Sequence, residues 1–300
     1  MFNLNNKNQI PKIGLGTYKL NDQKILQKTI ESAIEIGYRH IDTAYKYNNE
    51  EKIGIILKDM FHKNLIKRRE LFITSKMWCT ETEPLDALKE SLKKLQLDYL
   101  DLYLIHFPVT FDLDEKKNPY FDNDGYYVTK EFEIEKIWSK MEELVGLGLV
   151  KSIGVSNFGI NMLKRILKVC KIKPAVNQVE MHPYLQQKEL FNFCKNNDIR
   201  IVAHSALGGS ATKKGNEPEL LRDPILLKIA QKYEVCASKI ILSWLIQKGI
   251  CIIPKTTKLN HLRENFFVIK LNENDIEEIE NIKICYRFNH PTYFNINIYE

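Results

Sequence analysis

Short apolar stretches alternate with longer amphipathic segments along most of the chain. Residues 71–74 (LFIT) form an apolar run of the length of a buried strand, and the next segment, 84–97, places four leucines on one helical stripe. The same alternation continues as far as the apolar run 250–253 (ICII). Because strands that alternate with helices form parallel sheets, the pattern predicts an α/β fold.

The alternation also predicts how many strands the sheet contains. Apolar runs predict eight strands, centred near residues 13, 40, 72, 102, 153, 177, 201 and 251. Helical periodicity predicts helices over 22–36, 50–61, 84–97, 131–147, 161–170, 188–196 and 238–247. Eight such units over about 250 residues indicate a (β/α)8 TIM barrel. We expect residues 1–300 to form a single domain, with an N-terminal hairpin at the barrel floor and long loops at the C-terminal face.

A doubly wound open sheet is the alternative architecture. Such a sheet more often begins with a Gly-x-Gly-x-x-Gly turn after its first strand, and the segment 14–19 (GLGTYK) lacks the third glycine. No linker divides the chain. The longest gap between predicted elements, 107–130, is rich in Asp, Asn, Pro, Gly and Tyr. We interpret this gap as an active-site loop of a barrel.

Composition and charge narrow the class of protein. Charged residues make up 27% of the 300 residues, and the formal net charge of +6 is spread along the chain rather than gathered in a basic block. This distribution argues against nucleic acid as a partner, although a mildly positive field suits an anionic cofactor. The chain shows no secretory signal and no apolar run of about 18 residues, so we expect a cytoplasmic protein with no membrane partner.

The cysteines do not have the spacing of a metal site. They form no C-x-x-C pair and no Cys/His cluster with zinc spacing. Most lie inside apolar stretches, so we expect small buried residues in a reducing compartment, and we predict no metal site. The six are Cys79, Cys170, Cys194, Cys236, Cys251 and Cys285.

Polar side chains occur where seven of the predicted strands end, which is the face where barrel enzymes build their active sites. One such residue could be a helix cap, a turn former or a solvated charge, but a repeat on seven strands is hard to explain as surface decoration. In chain order they are Asp42, Lys76, His106, Ser156 with Asn157, Asn177 with Gln178 and Glu180, His204 with Ser205, and Lys255 with Thr256.

This set of residues points to proton transfer. It contains no evident nucleophile–base pair for acyl transfer, and Asp42 with Glu180 is poor evidence for the paired carboxylates of an isomerase or hydrolase. A tyrosine beside an ammonium has its phenolate favoured, so we expect its pKa to fall from about 10 and the phenol to donate a proton near neutral pH. A nearby histidine can orient the accepting oxygen. Given a hydride donor, this is the chemistry of carbonyl reduction.

Several motifs, in the same order, resemble the aldo-keto reductase superfamily in its aldose-reductase-like branch. The similarity runs from about residue 4 to residue 267, and its independent motifs make it specific. The motifs are 37–44 (GYRHIDTA) followed by Tyr47, Asn49-Glu50 and Ile53-Gly54, then 73–78 (ITSKMW), 103–108 (YLIHFP), 154–158 (GVSNF), 177–184 (NQVEMHPY) and 253–256 (IPKT).

The resemblance implies a metal-free, monomeric enzyme that reduces small aldehydes and ketones with NADPH. It implies that Tyr47 is the general acid, Lys76 its pKa partner, Asp42 the residue that holds Lys76, and His106 the residue that orients the carbonyl. The implied substrate contacts are Tyr18, Trp78, His106 and Phe107. The implied cofactor contacts are Gly16, Thr17, Tyr18, Asp42, Ser156, Asn157, Gln178, His204, Ser205, Leu207, Lys255, Thr256, His261, Glu264 and Asn265.

Two residues depart from the family's pattern. His204 stands where the family usually has a tyrosine under the nicotinamide ring, and a flat imidazole can still stack there with less area. His261 stands where the family often has an arginine for the 2′-phosphate of NADP, with Arg263 two residues further on. Arginine is always charged, whereas histidine near pH 7 is often neutral. We therefore expect NADP to be preferred, with a capacity for NAD.

Two questions stay open at this point. A barrel that binds nicotinamide cofactor as a sensor or regulatory subunit, with little catalysis, is the alternative function. The substrate is also open, because an aromatic pocket suits aldoses, keto-acids, methylglyoxal-like compounds and aromatic aldehydes alike. The expected pocket walls are Tyr18, Trp78, Phe107, Phe111, Tyr120, Phe121, Tyr126, Tyr127 and the tail 287–300.

Overall fold

Eight parallel strands form the central sheet of the computed structural model, which describes residues 1–209, 215–294, 296, 298 and 299. Main-chain bonds join the first of these strands to the last: Gly14 N donates to Ile252 O at 2.8 Å, and Ile252 N donates to Lys12 O at 2.9 Å. The sheet is therefore closed, and the predicted barrel is confirmed.

The barrel strands follow one another around the sheet in chain order, and in the part of the chain that the structure describes two short antiparallel pairs lie outside it. The floor pair is β1–β2 and the loop pair is β7–β8 in the following numbering. The strands are β1 (Phe2–Asn3), β2 (Gln9–Ile10), β3 (Leu15–Gly16), β4 (His40–Asp42), β5 (Phe72–Met77), β6 (Leu102–Ile105), β7 (Thr110–Phe111), β8 (Thr129–Lys130), β9 (Ile153–Ser156), β10 (Val176–Glu180), β11 (Arg200–His204) and β12 (Cys251–Ile252).

Within the described residues, the seven predicted helices are present within a few residues of their expected bounds, and three further helices were missed. One of these, the seventh along the chain, begins at Pro224 behind the cap Asp223, whose side chain accepts from Ile225 N and Leu226 N. This Asp-Pro signal was visible in the sequence. The helices are α1 (Gln23–Ile36), α2 (Glu50–His62), α3 (Pro84–Leu95), α4 (Ile134–Gly146), α5 (Ile160–Val169), α6 (Lys188–Asn196), α7 (Pro224–Lys232), α8 (Ala237–Gln247), α9 (Leu259–Phe266) and α10 (Glu273–Glu280).

Alternation along the strands separates two apolar layers. Side chains such as Leu102 and Leu104 fill the barrel interior, above Leu4 and Ile10 of the floor hairpin. The intervening positions, such as Tyr103, face the helices and join the larger outer core. Because successive residues of a strand point to opposite faces, only every second residue reaches the interior, and the last inward position of a strand can carry a polar group to the open end.

The long segment 107–130 contains regular structure, which the sequence pattern did not predict. Thr110 pairs with Lys130 and Phe111 with Thr129, so β7 and β8 form a small antiparallel ribbon. The Phe111 and Tyr127 rings stack at 4.3 Å between centroids. The segment therefore stands as an ordered aromatic wall beside the barrel mouth.

The cysteines are only partly buried as the sequence predicted. Cys79, Cys194 and Cys251 are buried as expected, but Cys236 and Cys285 are exposed, so the expectation is wrong for these two. An exposed position inside an amphipathic segment cannot be told from a buried one by composition alone.

Within the described residues, no helix has both the length and the apolar character needed to cross a membrane.

Candidate active site

Three neighbouring strands deliver the central side chains of the candidate site. Asp42 ends β4, Lys76 lies near the end of β5, and His106 follows β6 directly. The pairing of β5 with β6 sets Lys76 beside Leu104, and His106 N donates to Met77 O at 3.1 Å. Because the strands are parallel and adjacent, their three polar side chains meet at one end of the barrel.

The ammonium of Lys76 is completely buried and has three bonding partners. Lys76 Nζ donates to Asp42 Oδ1 at 2.6 Å, to Thr43 O at 2.8 Å and to Tyr47 Oη at 3.3 Å. An ammonium group has three hydrogens, so these contacts use all of its donors. The structure thus brings Asp42, Lys76 and Tyr47 together as the sequence predicted.

Tyr47 lies on a single 3-10 turn, Tyr45–Tyr47, whose far side is fixed by two buried side chains. Asn49 accepts from Thr43 Oγ1 at 2.7 Å and donates to the carbonyl oxygen of Thr17 at 2.8 Å. Glu50 accepts from Ser75 Oγ at 2.6 Å. Asn49 and Glu50 belong to the motif around Tyr47, but no role was predicted for them. Their bonds tie the turn to β4, β5 and the segment after β3.

The protonation states at the centre differ from the expectation in one respect. Burial raises the pKa of Tyr47 well above its ordinary value, and the charges of Asp42 and Tyr18 add to the increase, so the predicted fall is wrong. Sequence reasoning counted the neighbouring cation but could not see the desolvation of the phenol. Burial also lowers the pKa of Lys76, an effect that the charge of Asp42 opposes. In the resting site Tyr47 is a protonated phenol.

His106 is a neutral imidazole at this site. Burial lowers its pKa well below the ordinary value, and the positive charge of Lys76 and the neighbouring His204 lower it further. Its ring stacks on Phe107 at 5.1 Å and meets the Tyr47 ring edge-on at 5.7 Å. Its Nδ1 atom is buried without a hydrogen-bond partner among the described residues.

A set of amides extends the network from Asp42 to β11. Gln178 Nε2 donates to Asp42 Oδ2 at 2.7 Å, and Asn157 Nδ2 donates to the carbonyl oxygen of His106 at 3.0 Å. This second bond fixes the orientation of the Asn157 amide, so its Oδ1, 3.0 Å from His204 Nε2, must accept from that nitrogen. Burial lowers the pKa of His204 to about 4, so this ring is neutral with its proton on Nε2.

Another buried carboxylate, Glu180 on β10, holds the C-terminal tail and was not predicted to do so. Glu180 Oε1 accepts from Phe288 N at 2.7 Å and lies 2.9 Å from His182 Nε2, while Oε2 accepts from Asn289 N at 2.9 Å. Burial alone would raise the pKa of Glu180, but the bond to His182 and the nearby histidines outweigh it and lower the pKa.

Aromatic side chains surround the central group on the open side. The Trp78 ring lies 5.3 Å from His106, and the Tyr18 ring lies 5.0 Å from Tyr47. From the tail, Phe294 packs on Phe107 at 5.0 Å. Two other expected wall residues, Tyr120 and Phe121, are instead largely exposed on the loop. Residues 295, 297 and 300 of the expected wall lie outside the described part of the chain.

The remaining predicted cofactor residues form two groups. Gly16 and Thr17 are buried beside Asp42, where Thr17 Oγ1 donates to the Asp42 carbonyl at 2.9 Å, while Ser205 and Leu207 continue from β11. The second group lies after β12 and on α9. In that group Lys255, His261 and Glu264 are exposed, Thr256 is half-buried and Asn265 is buried.

A cavity of about 450 Å³ lies beside α9. It is lined by residues between 221 and 238, none of which belongs to the central group. Its wall is mainly apolar, and Cys236 links it to α9 because the thiol lies 3.9 Å from Glu264 Oε2. Sequence reasoning did not find this cavity, since α7 was not predicted. Its lining includes Leu221, Leu227, Gln231, Val235, Cys236 and Ser238.

Comparison with known proteins identifies the relatives of this chain. Residues 12–287 match the model of the Aldo/keto reductase family. The chain is 45% identical over 292 residues to the aldose reductase of Encephalitozoon cuniculi, covering 97% of this chain and 96% of the relative. It is 40% identical over 310 residues to human aldo-keto reductase family 1 member C4, with 97% and 95% covered.

A solved structure gives the same result at the level of the fold. The aldose reductase of Schistosoma japonicum superposes with a TM-score of 0.90 at 34% identity, covering 99% of this chain and 97% of that protein. The family's members are oxidoreductases that generally depend on NADPH. On the strength of the family match and the full-length relatives, this chain belongs to the aldo/keto reductase family.

Proposed function

We propose that this chain reduces aldehydes and ketones with NADPH and that Tyr47 is the proton donor. The observation that carries the proposal is the contact of Lys76 Nζ with both Tyr47 Oη, at 3.3 Å, and Asp42 Oδ1, at 2.6 Å. A proton donor, a buried cation and its counter-charge thus lie within bonding distance, next to a neutral histidine. Carbonyl reduction needs such a group of residues around the carbonyl oxygen.

The role of each side chain follows from its charge. The raised pKa of Tyr47 keeps its proton in place until an alkoxide, a stronger base than a phenolate, develops beside it. Once Tyr47 gives up the proton, its negative oxygen lies next to the Lys76 ammonium, which stabilises that charge. Asp42 holds the ammonium in position. The interaction strengthens as the reaction proceeds, which is the property that accelerates a chemical step.

His106 orients the substrate in this proposal. Because its imidazole is neutral, it provides a hydrogen bond to the carbonyl oxygen without placing a second cation beside Lys76. Its stack on Phe107 and its edge contacts with Trp78 and Tyr47 restrict the ring. A substrate carbonyl bound between Tyr47 and His106 would meet one donor from each side.

The buried amides and the cavity beside α9 suit a nicotinamide dinucleotide. When bound, the reduced nicotinamide supplies the hydride. Ser156, Asn157 and Gln178 present buried amide and hydroxyl groups next to Asp42, as recognition of a carboxamide requires. At the other end, the apolar cavity beside Glu264 has room for an adenine ring.

The proposed cofactor preference rests on the exposed cations on α9 and in the segment before it. By the family resemblance, Lys255 stands at the adenosine end of the cofactor and His261 at its 2′-phosphate. Both are exposed, and Arg263 is exposed on the same helix as His261. This supply of cations favours NADPH. Histidine in place of arginine weakens the grip, so we propose that NADH is also accepted at lower efficiency. Aldoses are among the proposed substrates, since two relatives are named aldose reductases.

The decisive test replaces each of two tyrosines of one turn by phenylalanine, in separate variants. Tyr47→Phe removes the proposed donor and should lower kcat for reduction by about 10³-fold. Tyr45→Phe is the matched control, because Tyr45 lies on the same turn but the ammonium over its ring belongs to Lys94 rather than Lys76. Turnover is measured by NADPH oxidation against a panel of aldehydes, and NADPH affinity by fluorescence titration.

The expected result is a loss of turnover confined to Tyr47→Phe, with the affinity for NADPH within about 2-fold of the parent in both variants. Near-normal turnover in Tyr47→Phe would show that another group donates the proton. Tight binding of NADPH by the parent protein with no reduction of any aldehyde would favour the non-catalytic binding barrel instead.

A further inference from the structure

Lys46 is an exposed cation directly beside the proposed proton donor. It lies on the same 3-10 turn as Tyr47, and its Nζ is 5.0 Å from the centre of the Trp78 ring, a distance typical of cation–π contact. The Trp78 ring in turn lies 5.3 Å from the His106 ring. Together the two distances place the ammonium within about 10 Å of His106, on the side open to solvent.

A second exposed cation has a similar relation to Tyr47. Lys19 Nζ lies 5.3 Å from the centre of the Tyr18 ring, and Tyr18 lies 5.0 Å from the Tyr47 ring. One aromatic ring thus separates each ammonium from a side chain of the central group. Lys46 is the cation that directly precedes Tyr47 in the chain, and its ammonium lies over Trp78, the ring that contacts His106.

The neighbouring carboxylates are already engaged, so they do not neutralise Lys46. Asp42 accepts from Lys76 and Gln178. Glu50 is buried and accepts from Ser75. Glu81, close to Trp78 in the chain, lies 3.6 Å from Lys117 Nζ. Within the described residues, neither Lys46 nor Lys19 takes part in an ion pair.

We infer that the site favours carbonyl substrates that carry a carboxylate a few bonds from the reacting carbon, and that Lys46 pairs with this carboxylate. The inference rests on the proposed function and specifies its substrate class. Tyr47 and His106 hold the carbonyl oxygen, the Trp78 ring covers the body of the substrate, and the ammonium above that ring meets the anionic end. Aldehyde acids and keto-acids have this chemistry, and neutral aldehydes lack it.

The size of the effect follows from the exposure of Lys46. Ion pairs open to water contribute little, which corresponds to a preference of up to about 5-fold. Such a preference is screened by salt, because the Debye length falls from about 30 Å at 0.01 M to about 10 Å at 0.1 M. A modest, salt-sensitive change in kcat/KM is therefore the expected signature.

The experiment compares 4-carboxybenzaldehyde with its neutral methyl ester, which differ in charge at the far end of one rigid ring. Each is reduced by the parent enzyme, by Lys46→Met and by Lys12→Met. Lys12 is the matched control, since its ammonium also lies 5.0 Å above a ring, that of Phe2, at the opposite end of the barrel. Lys46→Arg restores the charge and keeps the turn.

We expect Lys46→Met to lower kcat/KM for the acid by about 5-fold at low salt, with the ester within about 2-fold. Lys12→Met and Lys46→Arg should keep the parent's ratio of acid to ester, and added salt should reduce that ratio only where a cation stands at position 46. An unchanged ratio in Lys46→Met would overturn the inference while leaving the proposed function intact. If neither aldehyde is reduced by the parent enzyme, the proposed function fails and the inference fails with it.

Discussion

The two ends of the proposed cofactor site are built in different ways. At the catalytic end, Asp42 and Lys76 are buried inside the barrel, and their charged atoms are bonded to protein groups. At the adenosine end, Lys255 and His261 are exposed on the segment after β12 and on α9. The first end is delivered by barrel strands and the second by a surface loop and helix.

Because of this difference, the two ends contribute unequally to the stability of the fold and to the binding of cofactor. At the catalytic end the same contacts that position the chemistry also stabilise the fold, because a buried charge without its partner is costly. At the adenosine end the side chains are solvated in the absence of cofactor, so they contribute to ligand affinity and little to stability. The comparison predicts that equivalent substitutions at the two ends have different consequences.

The largest predicted difference comes from removing one lysine at each end. Lys76→Met leaves Asp42 buried without its cation and should lower the free energy of unfolding by about 3–5 kcal/mol. Lys255→Met should change it by less than about 0.5 kcal/mol while weakening NADPH binding. Urea denaturation and NADPH titration of both variants measure the two effects. Equal losses of stability would break the comparison.

A smaller effect is predicted for the pH dependence of stability. Burial lowers the pKa of His40, inside the barrel, to about 3, with a further contribution from the charge of Lys76. Below pH 6.5 the unfolded chain therefore binds a proton that the folded chain does not, and the free energy of unfolding falls as the pH falls. From pH 7 to pH 5 this one residue accounts for about 2 kcal/mol.

The variant His40→Gln should lose that part of the slope between pH 7 and pH 5, whatever its stability at pH 7. Asn260→Gln, which replaces an exposed residue without adding or removing a titratable group, should keep the parent's slope. Urea midpoints at the two pH values provide the measurement. A variant at position 40 with the parent's pH dependence would show that this imidazole titrates normally in the folded protein.

The smallest predicted effect concerns the choice of cofactor. His261→Arg adds a permanent charge with a planar donor set and should raise the ratio of kcat/KM for NADPH over NADH by about 5- to 10-fold. Asn260→Arg adds the same charge to the neighbouring position of α9 and serves as the control. Steady-state rates with both cofactors give the ratio. A similar rise in both variants would mean that general charge, rather than position 261, sets the preference.

The residues that meet at the catalytic end could largely be predicted from the sequence, because parallel strands bring the residues at their C-terminal ends together. Asp42, Lys76 and His106 each close an apolar run, and parallel strands bring such endings together. The pKa of Tyr47 could not be predicted, since it depends on burial rather than on neighbours in the sequence. The bonds of Glu180 to the tail were missed for a related reason. Its partners come from the tail, more than 100 residues further along the chain.

The attachment of the tail has a consequence for how specificity can change. Glu180 binds the tail through the main-chain N–H groups of Phe288 and Asn289, which every residue except proline offers. The anchor therefore ignores the identity of the side chains it holds. Substitutions of side chains on this part of the tail can therefore change its surface while both main-chain bonds remain. Side chains on this part of the tail can thus vary while its main chain stays bonded to Glu180 of β10.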